Sequence, residues 1–220
     1  MRGVTFAARS YRATGLVLRT QPLGEADRII TLFSPEHGII RAVAKGIRKT
    51  TSRFGASAEP FTLVDVQVVH GRSLDILSQT QTRVPYGQYL AADYARYTSA
   101  CAMAETAERL VSAETGHYTQ QYRLFYGAVA TMAKAEHEPQ LILDSYLLRA
   151  LTFAGWAPSF TDCVRCGAPG PHRSLNVTLG GVCCPQCRIP GSQTPSVDGI
   201  TLLAALLEGN WAVADQSPEQ

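Results

Sequence analysis

The hydrophobic pattern of this chain changes period once, at Pro85, and that change limits what each side of it can build. Before Pro85, β-branched and aromatic residues gather in runs at 15–20, 28–34, 38–45, 61–70 and 74–82, separated by Gly- and Pro-containing turns. Pro22-Leu23-Gly24 closes the first run. Ser34-Pro35-Glu36-His37-Gly38 joins the second to the third as a hairpin, and His70-Gly71-Arg72-Ser73 joins the last two. After Pro85 the apolar residues recur at three- and four-residue steps, the period of a helix. Leu90, Tyr94, Tyr97, Cys101 and Ala104 mark one helix over 88–113, which Gly116 ends. Tyr118, Tyr122, Phe125, Val129 and Met132 mark a second over 118–135. Pro139 opens a third, with Leu143, Leu147, Ala150 and Ala154 inward, ended by Gly155 and Pro158.

Five short strands in so few residues fit a small closed barrel better than an open sheet, because closure removes exposed edges. The expected fold is therefore α+β: an N-terminal OB-fold β-barrel, then an all-helical domain carrying a four-cysteine zinc ribbon. The expected divisions are a flexible basic arm at 1–12, an OB-fold domain at 13–83, a helical bundle at 84–158 and a zinc ribbon at 159–191. A C-terminal helix and tail at 192–220, packing on the helical domain, complete the chain, with Ile200, Leu203, Leu206 and Leu207 on one helical face and residues 215–220 disordered. Residues 46–60 read as a loop, since Thr50, Thr51, Gly55 and Pro60 are poor helix-interior residues. Periodic aromatic residues on the bundle helices read as core, and Cys101 among them as a small buried hydrophobe.

No apolar run approaches the roughly 18 residues that a membrane span needs, and no signal-peptide core opens the chain. A cytoplasmic protein with no membrane partner is expected. The net charge of +2 hides an asymmetry: residues 1–83 carry 12 Lys and Arg against 6 Asp and Glu, while residues 84–220 carry 8 against 12. A basic first part points to a polyanion.

That charge is focused in GIIRAVAKGIRKTTSRFG, residues 38–55. On a strand, Ile40, Ala42 and Ala44 face one way and Ile39, Arg41, Val43 and Lys45 the other. Arg41 and Lys45 share the outer face, and Arg48, Lys49 and Arg53 continue the positive charge into the loop. Arginine forks and lysine point charges at irregular spacing suit phosphates better than bases. Phe54 is the one aromatic residue among them available to stack on a base.

Cys163-Val-Arg-Cys166 and Cys184-Pro-Gln-Cys187 are two CxxC pairs, the spacing that gathers four thiolates around one tetrahedral Zn²⁺. Gly167 and Gly180-Gly181 permit the tight turns of a zinc ribbon. Four thiolates leave no open coordination position, so one structural ion per chain is expected. Cys183 competes with Cys184 as ligand, and only Cys184 keeps the two-residue spacing. Redox use of the pairs lacks its βαβ setting. No GxSxG or HExxH occurs, Gly46-Ile-Arg-Lys49-Thr50 lacks the glycine and the frame of a phosphate loop, and the five histidines are scattered. Neither an enzyme nor a small-molecule substrate is expected.

The run LRTQPLGEADRIITLFSPEHGIIRAVAKGIRKTTSRFG, followed by EPFTLVDVQVVHGRSLDIL, resembles the N-terminal domain of the bacterial recombination and DNA-repair mediator RecO. The helices and the CxxC…CxxC segment resemble the remainder of that family, so the likeness covers residues 12–210. Relatives generally start later and continue past Trp211 into another helix. The resemblance implies binding of single- and double-stranded DNA and annealing of complementary strands. It also implies assistance, with RecR, in loading RecA onto DNA coated by the single-stranded-DNA-binding protein. On that footing Arg41, Lys45, Arg48, Lys49 and Arg53 are the candidate DNA contacts, with Arg28 and Arg19 beside them. The alternative reading is a zinc-stabilised protein–protein adaptor without direct DNA binding.

Overall fold

In the computed structural model, residues 10–49, 54–113 and 118–218 are described. The chain divides into two compact units, residues 1–134 and 135–220. The first is built on strands β1 (Ser10–Leu23), β2 (Asp27–Ser34), β3 (Gly38–Ala44), β4 (Thr62–Val69) and β5 (Asp75–Pro85), with a single 3-10 turn at Gly55–Ala58. They close into a barrel in the order β1-β2-β3-β5-β4, the OB-fold arrangement expected from the strand spacing. The length of β1 makes closure possible. Its second half pairs with β2 (Thr20 with Ile30) and its first half with β4 (Ala13 with Val66), and the register shifts between Val17 and Arg19, where the strand passes from one partner to the other. A short parallel pairing of Ala42 and Val43 with Asp75 and Ile76 completes the circuit. Ser10–Arg12, expected in a flexible arm, are strand residues paired with β4; residues 1–9, including Arg2 and Arg9, lie outside the described residues.

Alternation fills the barrel. Val17, Ile30, Leu32, Ile40, Ala42, Ala44, Val64, Val66, Val68 and Leu77 form its core. Ile40, Ala42 and Ala44 point inward as their period requires. Val43 departs from the expected pattern: it belongs to the outer set and is nevertheless buried, as are Leu16 and Phe33. The reason is the helices α1 (Tyr86–Leu90), α2 (Tyr94–Ala113) and α3 (Tyr118–Lys134), of which α2 packs on β1 and β3 and α3 on β2 and β3. Phe33 meets Tyr122 edge-on at 5.3 Å and Phe125 at 6.1 Å between ring centres. The α3 stripe Tyr122, Phe125, Val129 and Met132 is buried as its period predicts. The side chain of Tyr118 and the helix break at Gly116 lie outside the described residues.

The first helix differs from the expected one. Instead of a continuous helix over 88–113, α1 ends at Leu90 and α2 starts at Tyr94, because the Asp93 carboxylate accepts from the Arg96 N–H at 2.9 Å and caps a new helix. The buried face of α2 is Ala100, Met103, Ala104, Ala107 and Val111, while Tyr94, Tyr97 and Cys101 are exposed. Three alanines let the helix sit close on the barrel, and the larger tyrosines are turned out.

In the second unit α4 (Pro139–Phe153) packs on α5 (Val197–Glu208), which leads into α6 (Trp211–Ala214). The face of α4 is rotated from the expected one: Leu141, Ile142, Ser145, Tyr146 and Ala150 are buried, with Leu143 and Leu147 at its margin. Leu141, Leu202, Ala205, Leu206 and Ala214 form the core, and the Ser145 hydroxyl donates to the Leu206 carbonyl at 2.7 Å. The single C-terminal helix expected within 192–220 is split at Gly209, which takes a left-handed φ of 73°. Asp215, expected to be disordered, is held by His137 Nδ1 at 2.8 Å, and the His137 ring stacks on Trp211 at 4.1 Å.

Candidate nucleic-acid interface and metal centre

The start of β2, the end of β3 and the turn after it gather the basic residues of the barrel. Gly46 leaves β3 with φ 68°, which turns the chain back so that its N–H donates to Asp27 Oδ1 at 2.8 Å. The Arg48 N–H donates to the Ala26 carbonyl at 3.0 Å, and the Arg48 guanidinium reaches the Gly24 carbonyl at 3.4 Å. The turn after β3 is thereby stitched to the turn between β1 and β2. Lys45, Arg48 and Lys49 are exposed on this stitched rim, and Arg41 is exposed on β3. Among the described residues, none of these four forms an ion pair. Arg53 lies outside the described residues.

Arg28 and Arg19 have different surroundings. Arg28 pairs across the ladder with Ala44, next to Lys45, but its Nη1 bonds Glu59 Oε1 at 3.0 Å. Arg19 makes a bidentate bond to Glu108 of α2, both contacts at 2.7 Å, and ties the barrel to the helix. Those bonds hold the Glu108 carboxyl below the ordinary range, opposed by burial and aided by the nearby charges of Arg19 and Arg41. The sequence offers no local sign of either pairing, because Glu59 and Glu108 are remote along the chain. Phe54 is also displaced from its expected role: it is 3% exposed and belongs to the barrel core, so it offers no face to a base.

In the second unit the two CxxC pairs converge. The Sγ atoms of Cys163, Cys166, Cys184 and Cys187 all lie within 4.8 Å of one another, a set that can hold a metal ion. Each pair closes a tight turn, the Gly167 N–H donating to the Cys163 carbonyl at 2.8 Å and the Cys187 N–H to the Cys184 carbonyl at 3.0 Å. Gly167 and Gly180 take left-handed φ angles of 71° and 78°, and a Cβ on Gly181 would collide with the Ser159 carbonyl. The strands β6 (Ser174–Asn176) and β7 (Gly181–Cys183) form the ribbon that presents the second pair. Cys183 ends β7 buried and outside the four-sulfur group, whereas Cys184 is in it. Backbone N–H groups of Cys184 and Cys166 hold the Cys163 thiol well below its usual pKa, while thiol neighbours Cys184 and Cys166 push Cys187 up. Four adjacent thiolates repel one another, and a cation between them relieves that repulsion.

Comparison with known proteins decides the family. The model described as "Recombination protein O N terminal" matches residues 8–86, and "Recombination protein O C terminal" matches residues 91–219. The chain belongs to the RecO family. It is 54% identical to the DNA repair protein RecO of Streptomyces griseus over 211 residues, covering 93% of this chain and 85% of that protein. It is 51% identical to the DNA repair protein RecO of Thermobifida fusca over 210 residues, covering 96% and 86%. The N-terminal RecO model spans the whole barrel and its stitched rim, and the C-terminal RecO model spans α2 through α6, including the four cysteines. No helix among the described residues is long and apolar enough to cross a membrane.

Proposed function

We propose that this RecO-family chain is a recombination mediator. It binds single- and double-stranded DNA, anneals complementary strands and, with RecR, assists RecA loading onto DNA coated by the single-stranded-DNA-binding protein. The observation that carries the reading is the rim: Arg41, Lys45, Arg48 and Lys49 are accessible without an ion pair among the described residues, on a backbone fixed to its neighbouring turn. Cations presented in this way attract phosphates and leave base edges uncovered, which annealing requires. Arg53 continues the positive run in sequence, and Arg28 joins it once Glu59 is displaced. Arg19 serves as a strut to Glu108. The chemistry is binding and release, with no bond made or broken by the protein.

The metal centre is scaffold in this reading. An all-thiolate set suits Zn²⁺, and a tetrahedron with bonds near 2.3 Å has edges of about 3.8 Å; Cys166 Sγ and Cys184 Sγ are 3.8 Å apart. When bound, the ion supplies a fourfold cross-link to the ribbon. The protein operates in the cytoplasm, at the nucleoid.

The test is a salt titration of oligonucleotide binding with Lys45, Arg48 and Lys49 changed together to alanine. If each holds one phosphate, the slope of log affinity against log salt falls by about 2 for single strands. An unchanged affinity and slope refute the rim assignment, and no salt-sensitive binding by the unaltered protein favours an adaptor that meets proteins only.

A further inference from the structure

The rim continues, residue by residue, onto an aromatic face that plays no part in phosphate binding. Lys45 follows Ala44, the ladder partner of Arg28. Arg28 bonds Glu59, and Glu59 stands two residues before Phe61, the barrel residue that carries the Tyr97 ring of α2. Tyr97 is 37% exposed, and Tyr94, one turn earlier on α2, is 85% exposed. The Tyr97 ring stands edge-on against buried Phe61 at 5.8 Å, and the Phe61 N–H is anchored to the Val17 carbonyl of β1 at 2.8 Å. The Tyr97 ring therefore stands on the barrel itself.

Charge along this path falls from the rim to the helix. Among the described residues Lys45, Arg48 and Lys49 form no ion pair, Arg28 is paired with Glu59, and beyond Glu59 the exposed face of α2 includes Tyr94 and Tyr97. A strand crossing from one to the other meets cations where its phosphates run and flat rings where unpaired bases can lie. Tyrosine provides a large stacking surface with few torsions to freeze. Stacking occupies the face of a base and leaves its pairing edge open, so it is compatible with annealing.

We propose that Tyr94 and Tyr97 form a base-stacking shelf for single-stranded nucleic acid, continuous with the cationic rim through Arg28 and Glu59. The proposal rests on the rim being the DNA-binding surface. A duplex, whose bases are already stacked, gains nothing from the shelf. The shelf thus gives the protein a preference for single strands that phosphate contacts alone do not supply.

The test compares the unaltered protein with Tyr94→Ala/Tyr97→Ala and Tyr94→Phe/Tyr97→Phe, using a thymidine oligonucleotide and a duplex of equal length at several salt concentrations. The alanine variant is expected to bind the oligonucleotide about fivefold to a hundredfold more weakly. Its salt slope and duplex affinity should be unchanged, and the phenylalanine variant should bind as the unaltered protein does. Tyr94→Ala alone, at a site with almost no packing to lose, is the control for folding and is expected to show part of the loss. Oligonucleotide binding that is unchanged in the alanine variants, or weakened equally for duplex and single strand, overturns the shelf. If the alanine change at Lys45, Arg48 and Lys49 still lowers affinity and slope, only the shelf has failed. If that variant too is unaffected, the rim reading fails as well.

Discussion

Changing Glu108 to glutamine should loosen α2 from the barrel without disturbing the basic rim. Arg19 Nε and Nη2 meet the two Glu108 oxygens at 2.7 Å each, with side-chain exposures of 38% for Arg19 and 23% for Glu108. An exposed pair contributes about 0.2–1 kcal/mol, and the bidentate geometry and partial cover place this one near the upper end, about 1 kcal/mol. Glutamine keeps one accepting oxygen and loses the charge, so most of that contribution should disappear. Arg19 lowers the folded-state pKa of Glu108. The contribution is therefore fully present above the unfolded carboxylate pKa of about 4.3 and is lost as pH falls through the lower folded value. Urea denaturation of both proteins at pH 7 should show the variant less stable by about 1 kcal/mol, and the difference should shrink progressively below about pH 4. Equal stabilities at pH 7, or a difference that persists unchanged in acid, would refute the strut. Arg19→Ala gives a second reading: it should cost stability of similar size while leaving the salt slope of DNA binding intact. A reduced slope with unchanged stability would return Arg19 to the DNA surface.

Two further results bear on residues that the sequence leaves ambiguous or misplaces. Purified protein should carry about one zinc per chain; metal analysis should show it lost in Cys184→Ala and retained in Cys183→Ala, and the opposite outcome would reassign the ligand. Phe54→Ala should destabilise the barrel by about 3–5 kcal/mol in denaturant titration, as expected for a buried aromatic residue. A nearly neutral effect on stability with a loss of oligonucleotide binding would instead make Phe54 a stacking residue.

What can be read in advance follows from the range of each interaction. The strands are legible because alternation and glycine or proline turns are local, and Ile40, Ala42 and Ala44 point inward as alternation requires. Val43 is not legible, because its burial comes from helices far along the chain. Asp93 gives a local signal, a capping carboxylate three residues before the N–H it accepts from, that the apolar stripe of Leu90, Tyr94 and Tyr97 obscures. That stripe misleads because tyrosine serves core and surface alike, and the small residues Ala100, Ala104 and Ala107 form the packed face. At the four-cysteine cluster, spacing favours Cys184 over Cys183 as a ligand, and Cys184 Sγ lies within the four-sulfur group. At the rim, composition names the cations, but the carboxylates of Glu59 and Glu108 that occupy Arg28 and Arg19 arrive only through tertiary contacts.

The central claim is that the rim holds DNA by its phosphates so that bases remain free to pair. Its most direct test is the rate of annealing of complementary oligonucleotides, each first coated with single-stranded-DNA-binding protein. The unaltered protein should accelerate annealing, and the variant with alanine at positions 45, 48 and 49 should lose most of that acceleration at moderate salt. No acceleration by the unaltered protein, or full acceleration by the variant, would contradict the account.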